Sequence, residues 1–554
     1  MFELTWASFA LFALLAWIAC IYCVRRYADP YESSKFVVFI ASTALWTGLF
    51  ALLVLPVDVF VASGETDSNT GLQVSPSDFE SAQESVKALY YAFWCILVFF
   101  AFVLFPFAYF YYEESGDPDL TRGQKIFNAF KYSCAFMIVC GVVCIIGAFV
   151  TVASDDEDDS WRQRLVEQAS QGDVVVAFLF ACVTLLGSLL LAVYAPVGLA
   201  SLPMGLIQSR QSLHDIESAS MSEIKPEQVR ARLQATQEQL RHQRRRVKND
   251  PSDREERQRL QELQREKDRL EHLLQRADKH ANSDKKEGCG TCIWNALAPL
   301  RFAFGIVLFG VSALIAVSVF MSALDRAINS ECGAACGFAL DRRHIFNPLD
   351  DILASSSSAF PVDYLLYGLL VLLLFVATLD GLSVVGVRFL CFKLYGIKRR
   401  RTLPNALLLG CWMVLLCSLA SIVLVDSVAP KYTSFTTQRF REGVVSVPPT
   451  YDDLCSSVTV SPPADDAAWH SCDMQHSIVC PGQAAVQCAP TVMNAFLNTI
   501  KIGLPFFGLV YFAASWLFVL VFCCALVWAI FFKKAPVVDE LDETRRDLLE
   551  SVFD

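Results

Sequence analysis

Several catalytic signatures are missing from this sequence. It contains no GxxxxGK[ST] phosphate-binding loop, so we expect that the chain does not couple ATP hydrolysis to any movement on its own. It has no HExxH helix and no Ser-His-Asp order of the hydrolase kind, and only 7 of its 554 residues are histidine. No Asn-x-Ser/Thr sequon occurs, so N-glycosylation is not expected. These absences predict a protein that is not an enzyme.

Charged residues are also scarce. They make up 19% of the chain, whereas hydrophobic residues make up 54%. A soluble core does not need that much apolar surface, and nine apolar stretches approach or exceed the roughly 20 residues that cross a hydrocarbon layer about 30 Å thick. The sequence therefore predicts an all-α polytopic membrane protein with about nine transmembrane helices. The predicted spans are residues 4–24, 36–62, 88–112, 132–153, 174–202, 302–324, 362–390, 406–429 and 496–532.

The distribution of charge predicts the topology. The first apolar stretch lacks the basic start and the Ala-x-Ala site of a cleaved signal peptide. Arg25 and Arg26 follow it, so the positive-inside rule predicts that they are cytosolic and that the amino terminus is lumenal. The later loops agree, because the predicted cytosolic segments carry basic residues near a membrane edge and the opposite loops are acidic.

This topology divides the chain into four predicted parts. Residues 1–204 carry spans one to five, and residues 205–297 form a cytosolic segment. Residues 298–532 carry spans six to nine, with a cysteine-containing lumenal loop over residues 430–495. Residues 533–554 form an acidic cytosolic tail.

The cytosolic segment has the pattern of a helical hairpin. Its first half places apolar or small residues on one helix face, the sequence Asn249-Asp250-Pro251 breaks that helix, and a second apolar seam follows. We therefore predict an antiparallel coiled coil split by a tight turn. The basic residues 244–246 are interpreted as part of its solvated face, and no nucleic acid is expected as a partner. The predicted seams are Val229, Leu233, Thr236, Leu240 and Val247, then Leu260, Leu263, Leu270, Leu273 and Leu274.

Six of the 20 cysteines fall in predicted lumenal loops, with an even number in each of two loops. The lumen is the oxidising side, so this arrangement predicts disulfide bonds. The pairing is left open, because four cysteines in one loop allow three arrangements. The candidates are Cys332 and Cys336 in the first loop, and Cys455, Cys472, Cys480 and Cys488 in the second.

Four charged residues fall within or beside predicted spans. Asp380 lies inside the seventh span and Lys501 inside the ninth, and they form either a polar site for a transported ion or a structural pair. Asp58 and Asp426 lie at the predicted lumenal membrane edge. We interpret them as interfacial acids that face water, with a proton or ion site as the alternative.

The fifth span contains Pro196 and Gly198 and is followed by Pro203, which predicts a kinked or broken helix. Such a helix is typical of transporter sites, but a bend that leads into the hairpin explains the same residues. Cys289 and Cys292 form a single CxxC before the sixth span. Without a second pair or a histidine nearby, this is a weak indication of a zinc site.

A set of short motifs adds a resemblance to a known family. They are LPVDVF at residues 55–60, PFAYFYYEE at 106–114, GLASLPMGLI at 198–207, NPLD at 347–350 and FPVDY at 360–364. Together with the nine spans and the central hairpin, these motifs resemble the limb-region and lipocalin-interacting membrane receptor family. The resemblance covers most of the chain as far as the eighth span.

The resemblance implies a multi-pass protein of the lysosomal membrane without catalytic activity. It implies an ATP-binding-cassette transporter as partner, escorted from the endoplasmic reticulum to the lysosome, and cobalamin as the exported cargo. It also implies a plasma-membrane role with endocytic adaptors. The Asp-x-His-x-x-Gly corrinoid motif is absent, so no bound cofactor is assigned. The alternatives are a transporter or channel in its own right and a lipocalin-type endocytic receptor.

Overall fold

The structure is a computed structural model of the full chain. It describes residues 2–29, 35–64, 72, 76–115, 121–152, 171–208, 226–249, 259–260, 263–264, 267, 271, 298–330, 332–340, 343–389, 392–397, 402–441, 445–446, 459–460, 468–472 and 487–531. The described part is mostly helical, as predicted.

The helices of the first half are α1 (Phe2–Tyr27), α2 (Lys35–Ser63), α3 (Pro76–Phe99), α4 (Phe105–Ser115), α5 (Arg122–Val152), α6 (Gln171–Gln208) and α7 (Pro226–Asn249). Those of the second half are α8 (Ala298–Asn329), α9 (Pro348–Ser356), α10 (Val362–Val385), α11 (Pro404–Val428), α12 (Pro430–Phe435), α13 (Val492–Gly503) and α14 (Pro505–Phe531).

Eight helices in the described residues are long and apolar enough to cross a membrane. They belong to α2, the rod formed by α3 and α4, then α5, α6, α8, α10, α11 and α14. This confirms an all-α polytopic membrane protein. The first predicted span corresponds to α1, a helix of 26 residues that is not among the eight, so a total of nine spans stays a prediction.

The chain falls into two compact units. The first contains residues 1–202 and 309–527, and the second contains residues 203–308 and 528–554. The first unit is organised around α11, of whose most apolar 18-residue window 89% is buried, against 11% for α5. Helix α11 packs against α2, α4 and α10, and α2 also packs against α1 and α3. A helix that is apolar on every side, as α11 is, must be surrounded by other helices or by lipid.

Helices α3 and α4 form one rod with a turn of π-helix between them, Phe100–Leu104. A π-turn changes the backbone hydrogen-bonding pattern and leaves room for other donors. Here the indole Nε1 of Trp412 on α11 donates to the carbonyl oxygen of Ala101 at 2.9 Å. The π-turn therefore attaches the rod to the central helix.

Helix α6 does not break at its prolines. It runs without interruption from Gln171 to Gln208, so the fifth span is not broken, and the alternative of a kinked helix stays a prediction. The glycines instead allow a helix crossing: a methyl group on Gly198 would overlap the carbonyl oxygen of Ala377, and one on Gly381 would overlap that of Tyr194. Small residues permit this close approach of α6 and α10 within a membrane.

The ninth predicted span is two helices rather than one. Helix α13 ends at Gly503, and α14 begins at Pro505 after Leu504. Proline at the first position starts a helix because it needs no amide partner there. Lys501 therefore lies in the short helix α13 and not inside the final span, which corrects the predicted boundary.

Short antiparallel strand pairs interrupt the helical pattern. Strands β1 (Val387–Phe389) and β2 (Phe392–Tyr395) pair after α10. In the loop between α12 and α13, β3 (Arg439–Arg441) pairs with β6 (Trp469–Ser471), and β4 (Val445–Ser446) pairs with β5 (Thr459–Val460). These pairs are too small to change the fold class.

The second unit contains the first arm of the predicted hairpin. Helix α7 ends at Asn249, where the sequence predicted the end of this arm. Thr236 and Leu240 of the predicted seam are buried, and Gln243 extends the same face. In the second arm only residues 259–260, 263–264, 267 and 271 are described, and they are helical. The predicted turn at Pro251 and the CxxC at residues 289–292 lie outside the described residues, and the hairpin stays a prediction.

Replacing Gly198 with alanine should destabilise the first unit. The added methyl group would meet the backbone of Ala377, which cannot turn away as a side chain can, so α6 and α10 must separate. We expect a loss of about 1–3 kcal/mol, as for other overpacked sites, seen as a lower midpoint of thermal unfolding of the purified protein.

The control is Gly141→Ala in α5, where an added methyl group meets nothing within 4 Å. This change should be neutral or slightly stabilising, because alanine has the higher helix propensity. Equal midpoints for the two variants would contradict the close crossing of α6 and α10.

Candidate functional site

Eight ionisable side chains gather at one end of the first unit, where α2, α8 and α11 end and α10 begins. We call this group the charged end. Seven of its members are less than 10% exposed, which is unusual for charged residues and calls for partners. The charged end consists of Asp58, Asp325, Arg326, Arg343, Asp350, Asp363, Asp426 and Lys501.

At its centre, one carboxylate on α11 is shared by two cations. Lys501 Nζ on α13 and Arg326 Nη2 on α8 both reach Oδ2 of Asp426, the arginine at 3.2 Å. Asn494 Nδ2 donates to the other oxygen, Oδ1, at 3.3 Å. Both oxygens are thereby bonded, and three helices are joined at one buried charge.

Asp58 binds the start of α13. The backbone N–H groups of Val492 and Met493 donate to its two oxygens at 3.0 and 2.9 Å, and the Tyr90 hydroxyl donates at 3.2 Å. The first amides of a helix have no partner within the helix, so a carboxylate there stabilises its start. Asp58 is 2% exposed, so the preferred interpretation of a water-facing acid is wrong.

Asp350 binds the start of α12 in the same manner. It lies in the first turn of α9 and accepts hydrogen bonds from the N–H groups of Lys431 and Tyr432 at 2.9 to 3.2 Å. The Tyr432 hydroxyl in turn donates to Oδ2 of Asp363 on α10 at 3.0 Å. Helices α9, α10 and α12 are therefore connected through two buried carboxylates.

Asn347 fixes the position of α9. Its side-chain oxygen accepts from the N–H of Leu349 at 3.0 Å as the helix N-cap, and Pro348 occupies the first helical position. Its amide nitrogen donates to the carbonyl oxygen of Val428 on α11 and to the Ser322 hydroxyl on α8, both at 3.1 Å. One side chain thus starts α9 and attaches it to two spans.

A third aspartate holds the segment before α9. Asp325 Oδ1 accepts from the Ile345 N–H at 3.2 Å and from Asn329 Nδ2 at 2.7 Å, and the His344 N–H lies 3.4 Å away. The neighbouring Arg343 has a buried Nη1 without a hydrogen-bond partner. Burial, with the nearby Arg326, lowers the pKa of the Arg343 guanidinium.

The two predicted intramembrane residues are not partners. Ser201 on α6 donates to Oδ2 of Asp380 on α10, whereas Lys501 pairs with Asp426. Asp380 follows Asp363 by 17 residues, which is about 25 Å along a helix axis. The structure therefore separates Asp380 from the charged end, and no single site contains both Asp380 and Lys501.

The structure pairs four of the six candidate cysteines. Cys332 is bonded to Cys336 beside a turn of 3₁₀-helix, and Cys472 is bonded to Cys488 across the strand-containing loop. The second bond adjoins a small core formed with Phe435 and Phe440. Cys455 and Cys480 lie outside the described residues.

The carboxylates of the charged end bind buried cations and backbone amides. In the described residues, no cluster of three or more His, Cys, Asp or Glu side chains is arranged to hold a metal ion. A small cavity, with room for about one water molecule, lies between Asp58 and Asp426 and is also lined by Tyr367, Thr433 and Asn494. The chemistry of this region is ion pairing and backbone capping.

Comparisons with known proteins agree with this architecture. Residues 5–441 match the family described as LMBR1-like membrane protein. The chain belongs to this family. That result confirms the resemblance inferred from the short motifs, three of which contribute Asp58, Asp350 and Asp363 to the charged end.

The relatives match this LMBR1-like protein over nearly their whole length. A Sclerotinia sclerotiorum protein named probable lysosomal cobalamin transporter is 31% identical over 97% of this chain and 90% of its own. A Nematostella vectensis protein of the same name is 29% identical over 97% and 95%. The Danio rerio lysosomal cobalamin transport escort protein LMBD1 is 27% identical over 99% and 97%. No solved structure matches the chain.

Asp426→Asn should destabilise the protein more than a matched change elsewhere in the bundle. It leaves Lys501 and Arg326 buried without a counter-charge, and breaking a buried pair in this way costs about 3–5 kcal/mol. Lys501→Met should cost less, because Arg326 still balances Asp426. The readout is the midpoint of unfolding of each purified variant, with Asp380→Asn as the matched control.

The control follows from its contacts. An asparagine at position 380 can still accept the hydrogen bond of the Ser201 hydroxyl, so the midpoint should fall less than in Asp426→Asn. If Asp426→Asn were as stable as Asp380→Asn, the ion pairs at the charged end would not contribute to folding.

Proposed function

We propose that this protein is an escort and adaptor of the lysosomal membrane that supports cobalamin export together with an ATP-binding-cassette transporter. Two of the relatives above are named lysosomal cobalamin transporters and a third is named an escort protein. The names agree on cobalamin and the lysosome but differ on whether the protein moves the vitamin itself. The packing of the bundle supports the escort over the transporter.

The interior of the first unit supports that choice. Its central helix, α11, is buried along nearly its whole length, and the close crossing of α6 and α10 leaves no side-chain space between their glycines. The cavity at the charged end and a second cavity between α6, α11 and α14 each have room for about one water molecule. Cobalamin is far larger than water, so neither of these two cavities in the described residues could hold it, which supports assigning the movement of cobalamin to the partner.

The transporter alternative loses its main support in the same region. It relied on a kinked fifth span together with Asp380 and Lys501, but these two residues belong to different contacts and α6 is not broken. Buried charges that pair with one another, as Asp426 does with Arg326 and Lys501, join helices, whereas an ion pathway needs groups that exchange partners. We therefore interpret the charged end as structural support for the membrane domain.

The partner would meet this protein both in the bilayer and in the cytosol. Helix α5 is mostly unburied in its described span, so it offers a face to lipid or to another membrane helix. The charged segment around α7 offers a docking surface outside the membrane. In the proposed hairpin, the polar face of α7 is solvated and its apolar seam packs against the second arm.

Autonomous transport and partner binding can be measured on the same preparation. Purified full-length protein in proteoliposomes should show no cobalamin flux above empty vesicles, and it should co-purify with a lysosomal ATP-binding-cassette transporter from co-expressing cells. Flux by the protein alone, reduced in Asp380→Asn, would overturn the proposal and restore the transporter alternative.

The hairpin's role can be tested with one pair of variants. Leu240 is 6% exposed in the seam, so Leu240→Glu should disrupt the seam and reduce co-purification and lysosomal delivery of the transporter severalfold. The neighbouring residue Gln239 is exposed, and Gln239→Glu introduces the same charge without touching the seam. Equal lysosomal delivery of the transporter with the two variants would show that escort does not depend on the hairpin seam.

The proposed orientation predicts which segments a protease reaches. An epitope inserted after Ser358, between α9 and α10, should be protected in intact lysosomes, and one inserted in the hairpin should be cleaved. Cleavage after Ser358 and protection of the hairpin would show that the topology is the opposite, with the charged end in the cytosol.

A further inference from the structure

Asp350 differs from the other carboxylates that bind backbone amides at the charged end. It is 7% exposed, yet it lies in α9, outside the candidate membrane spans. Its hydrogen bonds join α9 to α12, and Tyr432 extends the connection to Asp363 on α10. Separation of α9 and α12 would break these hydrogen bonds and expose the carboxylate of Asp350 to water.

A buried carboxylate has a clear preference between its two protonation states. Removing a charge from water is unfavourable, so the closed contact favours the neutral acid more than the open contact does. Burial raises the pKa of Asp350 from its ordinary value near 3.8 to about 6, although the amides of Tyr432 and Lys431 and the charge of Arg343 act in the opposite direction. The closed state therefore binds a proton more tightly than the open state.

We propose that α9 and α12 form an acid-stabilised latch, in which a proton taken up by Asp350 favours the closed contact between them. Acidic solution closes the latch and neutral solution lets it open more readily. The proposal adds regulation to the escort function, since the charged end would be exposed to the acidic lysosomal lumen in the proposed orientation. In the neutral early secretory pathway the same surface would open more often.

Other charged and titratable groups surround Asp350 on the elements packed against it. Asp351 on α9 is exposed. Helix α12 contributes Lys431 and Tyr432, and α10 contributes Asp363. The segment before α9 contributes Arg343 and the exposed His344, while Asp325, Arg326 and Asp426 lie around Arg343.

The direction and size of the pH effect on closure follow from the difference between the pKa of Asp350 in the closed state and its pKa in the open state. In the closed state the acid binds its proton below about pH 6, and in the open state only below about 3.8. Closure is therefore favoured as the pH falls from 7 to 5, and the opening equilibrium should fall about tenfold over that interval. A group whose pKa were lower in the closed state than in the open state would instead favour opening as the pH falls.

Hydrogen–deuterium exchange of the full-length purified protein tests the latch directly. The amides of Lys431 and Tyr432 exchange only when the contact opens. After correction for the chemical dependence of exchange on pH, the peptide that covers residues 430–435 should be about tenfold better protected at pH 5 than at pH 7, with a midpoint near pH 6. Equal corrected protection at both pH values would overturn the proposal, and this wild-type result does not depend on any variant folding.

Two substitutions assign the response to one carboxyl group. Asp350→Asn cannot titrate, so its corrected protection should be the same at both pH values. Asp351→Asn should keep the wild-type response, and so should His344→Gln, which removes the exposed imidazole nearby. A pH response that persists in Asp350→Asn, or that disappears in His344→Gln, would assign the effect to another group.

Failure of the latch and failure of the escort function can be told apart. The exchange experiment uses protein in detergent with no partner, and both faces experience the same pH. It can therefore succeed even if the topology or the partner is wrong, while the delivery experiments can succeed without any pH response.

Discussion

The membrane domain depends on one buried ion cluster. Asp426 near the end of α11 is shared by Arg326 from α8 and Lys501 from α13, and none of the three is more than 7% exposed. Charges removed from water must find counter-charges, so these helices cannot shift independently without leaving a charge unpaired. The position of α13 follows from this requirement, and with it the start of the last span.

Around that cluster, three carboxylates also accept hydrogen bonds from backbone amides. Asp58, Asp325 and Asp350 each accept hydrogen bonds from adjacent amides of a segment outside the spans. A short helix or a loop beside a membrane has amides that the helical ladder does not satisfy, and water is limited near the bilayer. The aspartates supply those bonds, so the same residues that anchor the short helices also order the surface beyond the bundle.

The membrane domain is closely packed at both of its ends, which is relevant to the proposed function. Glycines bring α6 and α10 together, and Ser201 and Asp380 are bonded beside that crossing. At the other end every carboxylate of the charged end has at least one hydrogen-bond or ionic partner. Close packing of this kind agrees with the proposed role as an escort.

The sequence by itself determined the membrane class, most of the spans, the end of the first hairpin arm and the family. Those features depend on local hydrophobicity, on proline and on short motifs, which can be seen along the chain. The sequence did not predict the division of the ninth span because the segment around Lys501 is apolar on average. This segment therefore resembles a continuation of α14. Proline at position 505, after Gly503, was the available signal.

Only the tertiary structure decided which charges meet. Asp426 and Lys501 are separated by 75 residues, and Asp58 and Met493 by 435. The pairing of Cys472 with Cys488, the continuity of α6 through its prolines and the burial of Asp58 likewise could not be deduced from local pattern. Hydrophobic periodicity specifies which segments enter the membrane, but a charge in a helix acquires its partner only from the packing of distant helices.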